Sequence, residues 1–186
     1  ETARVRLAEL YWNLQAQTWR QELTDVAMGH SAAAEAFYQA IEAYERMLAG
    51  GQATPEQRRQ LGALYRWNNE TTPALAVHQA LIKDIPLGGP LHGRLLSELA
   101  WDRIQWLSWE RRYNHPWLEQ ARQEAEQALN QVETPVDKLA AAYALVLVEA
   151  LRTPRNQDHL QKRLQTVKIW HDRVSGAVGV WPYLVG

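Results

Sequence analysis

The chain has 186 residues, 46% of them apolar, and 20 Lys plus Arg stand against 21 Asp plus Glu. That composition supports a folded core, and its near-neutral balance argues against an acidic tail protein and a strongly basic nucleic-acid binder. Cysteine is absent, which removes disulfide scaffolds, thiolate metal sites and cysteine nucleophiles; no apolar run reaches the roughly 20 residues that a membrane-spanning helix needs.

Helical periodicity predicts eight helices, at roughly 3–27, 31–49, 55–68, 71–84, 90–113, 116–131, 135–152 and 155–173. Gly50-Gly51 ends the second, since glycine tolerates the left-handed conformation at a helix C-terminus. Thr54-Pro55 opens the third: the hydroxyl can cap free backbone N–H groups, and proline loses nothing in the first turn. Thr134-Pro135 opens the seventh in the same way, with Asp137 in its first turn to complement the helix dipole. No window alternates as a half-buried strand requires. Short connections make sequential helices pack antiparallel, giving about four helical hairpins in a row.

The hairpins repeat. Leu7-Ala8 with Tyr11, Leu61-Gly62 with Tyr65, and Leu139-Ala140 with Tyr143 place Leu and Tyr four apart on one face of a first helix. The small residue between them admits a close partner helix. Second helices carry an alanine followed by an apolar pair: Ala40 to Met47-Leu48, Ala74 to Leu81-Ile82, and Ala121 to Ala128-Leu129. The span 55–88, with Leu61, Gly62, Tyr65, Ala74 and Pro86, resembles the tetratricopeptide repeat (TPR) family, whose unit is about 34 residues. His78 stands where that family has an aromatic, and Leu81 replaces a second small residue. Phe37, Ala40, Ile41, Tyr44 and Leu48 match the second helix of the preceding unit. The resemblance implies an all-α, right-handed α-solenoid forming one domain over 1–186. It also implies a concave face, lined by first helices, that holds a peptide or partner protein.

On helix 55–68, Arg59, Ala63, Arg66 and Trp67 lie off the Leu61/Tyr65 packing face and are candidate groove residues, suited to a peptide with acidic and apolar side chains. Chaperone-binding members of the family clamp a C-terminal carboxylate with Lys and Asn; Ala63 occupies one such Asn position, so that activity is not expected. Trp101, Trp106, Trp109 and Trp117 interleave with Arg103, Arg111 and Arg112. Trp101 and Trp109 fall on a different face from Leu95, Leu99 and Trp106, which marks them as further partner-binding candidates.

Glu98 and Asp102 share a helix face and could form an acid–base pair in an enzyme, but Arg94 and Arg103 beside them favour a surface ion-pair ladder. The six histidines (His30, His78, His92, His115, His159 and His171) show no metal-ligand spacing, and no cofactor-binding loop is present. Residues 119–137 carry five acids against Arg122, whereas 152–173 is basic, which predicts attraction between neighbouring helices. The tail, 174–186, is uncharged and is expected to cap the last hairpin or to support self-association. These features point to a protein–protein interaction scaffold without catalysis, with no nucleic-acid partner, no cofactor and no integral membrane segment; the compartment is open. A ligand-responsive regulator and an enzyme with its pocket near Glu98 and Asp102 are the alternatives.

Overall fold

The structure is a computed structural model that describes residues 31–112, 114–152 and 157–174. These residues form seven helices and no strand: α1 (Ser31–Ala49), α2 (Pro55–Trp67), α3 (Thr71–Asp84), α4 (Pro90–Trp109), α5 (Pro116–Gln131), α6 (Pro135–Leu151) and α7 (Gln157–Val174). The expected first helix, 3–27, and the tail beyond 174 lie outside the described residues.

Local chemistry sets the helix ends. Thr54 and Gln57 form a reciprocal capping box: the Gln57 N–H donates to Thr54 Oγ1 at 3.2 Å, and the Thr54 N–H donates to Gln57 Oε1 at 2.9 Å. The Asp137 N–H likewise donates to Thr134 Oγ1 at 3.1 Å. At the other ends, α1, α2 and α4 close in one way. Gly51, Asn69 and Arg111 take φ values of 66°, 60° and 53°. The following N–H groups of Gln52, Glu70 and Arg112 reach back to the carbonyls of Met47, Tyr65 and Leu107 at 2.9, 2.8 and 3.0 Å. The sequence signals only the glycine. Arg111 takes the same left-handed conformation, which costs a non-glycine residue about 1 kcal/mol, and α4 stops at Trp109 rather than near residue 113.

Each helix packs on its neighbours in sequence, and the largest core cluster sits between α4, α5 and α6. There Ala100, Ile104 and Leu107 meet Leu118, Ala121 and Ala125, with Ala144, Leu145 and Val148 closing the third side. Alanines at the crossings let the backbones approach while leucines fill the space around them. Ala40, Ala74 and Ala121, the recurring alanines of the second helices, are all completely buried. Two contacts skip a helix: α2 touches α4, and α4 touches α6. Alternate helices therefore form a continuous surface.

The expected attraction between the acidic and basic segments takes specific form. Arg152, at the end of α6, pairs with Glu119 on α5 at 2.6 Å, and Arg163 on α7 pairs with Glu126 on α5. None of the described helices is long and apolar enough to cross a membrane.

Candidate functional site

A recess of about 160 Å³ opens on the surface shared by the alternate helices. Arg59 and Arg66 come from α2, Arg94, Ser97, Glu98 and Trp101 from α4, and Val136, Asp137 and Ala140 from α6. Trp101 is fixed on two sides. Its indole N–H donates to the Ala140 carbonyl at 3.2 Å, and its ring lies nearly parallel to Tyr143, with centroids 6.3 Å apart and planes 9° apart. At the rim, Arg94 Nε donates to Asp137 at 3.1 Å, and Val136 leaves its side chain exposed.

Beneath the recess lies a buried charge network. Arg59 donates through Nε and Nη2 to Glu56 at 3.1 and 2.7 Å, and through Nη1 to Glu98 at 2.5 Å. Arg66 donates to Asp102 at 3.0 Å and also holds Glu98. The other Asp102 oxygen lies 2.6 Å from Nδ1 of His78 on α3, whose Nε2 lies 2.9 Å from the Arg59 carbonyl oxygen. His78 and Asp102 are both 0% exposed, so no water can substitute for these contacts. A backbone carbonyl can only accept, and the Arg66-paired carboxylate also accepts. Both ring nitrogens therefore donate, and His78 is an imidazolium. Three cations then face three carboxylates, Glu56 at the partly exposed edge and Glu98 and Asp102 within, which balances the charge placed inside the protein.

Titration directions agree with this assignment. Burial disfavours charge on His78, but attraction to Asp102, its hydrogen bond and the nearby Glu98 outweigh burial and the repulsion of Arg66, raising the pKa above its ordinary value. Burial alone would raise Glu98; Arg66 and Arg59 overcome it and hold the carboxyl at about 2.

Gly62 explains how His78 fits. A Cβ at that position would stand 2.3 Å from His78 Nε2 and 2.6 Å from Cδ2 and Cε1. The small residue of the Leu-Gly-x-x-Tyr pattern is therefore the floor of a slot for the imidazolium. His78 lies buried between α2 and α4, and it brings a charge with it.

The structure brings Arg59, Arg66 and Trp101 together at the recess and separates the other candidates from it. Ala63 is 0% exposed and is no groove residue. Arg66 lines the recess but is only 4% exposed, and its guanidinium is committed to Glu98 and Asp102. Trp67 packs on the α1–α2 core. Trp109 points outward at the end of α4, 73% exposed and away from the recess. The surface ladder expected along α4 is corrected too. Glu98 and Asp102 pair with α2 and α3, Arg94 pairs with Asp137 on α6, and Arg103 pairs with Glu124 on α5 at 2.9 Å. Helical spacing suggested partners on the same helix; α4 packs between its neighbours, and these side chains find their partners on α2, α3, α5 and α6. Sequence reasoning missed His78 as a charged member of the network, although its place in an aromatic slot beside Gly62 was the available signal.

A second aromatic group lies where α4 meets α5. Trp106, His115 and Trp117 pack edge to face or tilted, with centroids 4.6–5.4 Å apart, and the guanidinium groups of Arg103 and Arg112 lie over Trp117 and Trp106. The Arg103–Glu124 pair beside it is buried, whereas Trp106, His115 and Trp117 are half-buried, so this group is a joint between two helices with one side open. Among the described residues, no cluster of three or more His, Asp or Glu could hold a metal ion. No protein-family model matches the chain, and no curated protein or solved structure is significantly similar to it.

Proposed function

We propose that this chain is a TPR-like, right-handed solenoid of helical hairpins that acts as a protein–protein interaction scaffold, holding a peptide or partner protein along the face of α2, α4 and α6. The observation that carries this reading is the origin of the recess: all its lining residues come from three alternate helices. A stack of hairpins lines its inner face with alternate helices, and a continuous inner face suits an extended partner. The buried network serves as the rigid base of that face. Glu98 is the carboxylate nearest an enzyme-like pocket, and two arginines hold it ionised with a pKa of about 2. It is poorly matched to proton transfer near neutral pH, which favours binding over the alternative acid–base reading.

The test is affinity capture from the native extract followed by mass spectrometry. Wild type is compared with Val136→Asp and Ala140→Met at the recess and with Gln127→Arg on the exposed surface of α5, all checked by circular dichroism. A partner held by wild type and Gln127→Arg, and lost by both recess variants, supports the reading. A partner held by all four moves the binding face elsewhere, and capture of nothing refutes the scaffold.

A further inference from the structure

We infer that the recess takes one uncharged apolar side chain, an aromatic ring or a branched aliphatic group, presented by an extended segment of the partner. This inference rests on the binding-module reading and names the chemistry of its anchor.

Size comes first. An engineered apolar protein cavity of about 150 Å³ holds one benzene molecule, whereas pockets for cofactors and drug-sized ligands run from about 300 to 1,000 Å³. At about 160 Å³ the recess matches one ring or one branched side chain.

Charge comes second. All three guanidinium nitrogens of Arg59 already donate to Glu56 and Glu98. Arg66 spends its two terminal nitrogens on Asp102 and Glu98. Arg94 donates to Asp137 at the rim. A carboxylate entering against Arg59 or Arg66 would have to displace Glu56, Glu98 or Asp102, and an entering cation would meet three guanidinium groups. An uncharged side chain displaces no ion pair. The acidic partner suggested by the arginines alone thus gives way to a neutral anchor, because those arginines are neutralised within the fold.

The apolar lining comes third. Trp101, parallel to the offset Tyr143 ring and hydrogen-bonded to the Ala140 carbonyl, offers a fixed wall, Ala140 leaves room beside it, and Val136 extends the apolar surface to the rim. A rigid aromatic wall lowers the entropy cost of seating an anchor.

The experiment uses the full chain, 15N-labelled, titrated separately with the N-acetyl amides of phenylalanine, leucine, aspartate and lysine. The Trp101 indole N–H signal is identified by its loss in Trp101→Phe. The phenylalanine and leucine amides are expected to shift that signal and the amides of Val136, Asp137 and Ala140, saturating with Kd on the order of 1 to 10 mM. The aspartate and lysine amides are expected to bind about tenfold more weakly, and Val136→Asp or Ala140→Met to weaken the phenylalanine amide by about tenfold. Equal binding of a charged probe overturns the inference. So do shifts centred on Trp109, away from the recess, or no shift with any probe. The two readings fail separately. A captured partner lost by both recess variants, with no probe shifting Trp101, keeps the binding face and removes its apolar anchor. Probe binding with no captured partner keeps the anchor chemistry and removes the scaffold.

Discussion

Replacing Gly62 with alanine tests the buried imidazolium directly, because the expected sign is opposite to the ordinary one. In a helix interior with space around it, Gly→Ala stabilises by about 1 kcal/mol. At Gly62 the new methyl carbon would lie 2.3 Å from His78 Nε2, well inside van der Waals contact. The ring cannot simply swing aside. It is 0% exposed and pinned at 2.6 Å to Asp102 and 2.9 Å to the Arg59 carbonyl. Forcing extra volume into a packed site costs about 1–3 kcal/mol, and losing one hydrogen bond to a charged group costs about 1.5–3. After subtracting the helix-propensity gain, the net destabilisation is about 1.5 to 5 kcal/mol. Urea denaturation followed by circular dichroism measures it as a fall in midpoint at unchanged m-value. The same Gly62→Ala change made in His78→Ala, where the ring is absent, should recover most of the loss specific to Gly62. A Gly62→Ala variant as stable as wild type, or more stable, refutes the slot argument.

Four further outcomes are expected from the pairing and exposure of these side chains. The raised His78 pKa means that its contribution to stability is fully present below its unfolded value of about 6.5 and is lost as pH rises through the folded value; 15N spectra below pH 6.5 should show both ring nitrogens protonated. Glu98 has the opposite sign: its contribution is present above 4.5 and is lost as pH falls towards about 2, seen as a declining urea midpoint in acid. Asp102→Asn leaves Arg66 and His78 buried without their shared carboxylate and should cost about 3–5 kcal/mol by urea denaturation, whereas Trp109→Ala, at a side chain 73% exposed, should change stability by no more than about 0.5 kcal/mol.

The helices were legible because their causes are local. Thr54-Pro55 and Thr134-Pro135 cap the backbone that immediately follows them, Gly51 supplies a left-handed residue in place, and apolar spacing declares which side of each helix must be covered. The repeating Leu61 and Leu139, with Ala40, Ala74 and Ala121, were visible as one pattern, and all are buried. The end of α4 was less legible, because Arg111 adopts a glycine-like φ without being glycine.

The sequence by itself determined that this chain is helical, which side chains share a helix face, and that thiol chemistry is absent. Tertiary structure alone decided what those faces meet. Glu98 finds Arg59 and Arg66 rather than Arg94, and Asp102 finds His78 rather than Arg103, with partners 24 to 39 residues apart. Ion pairing between helices depends on rotation, stagger and the distance of approach, and the core sets those through the packing of alanines and leucines. A charged residue within a helix carries no local mark of which neighbouring helix will neutralise it. The same packing turned two arginines that looked available to a partner into the paired wall of a recess.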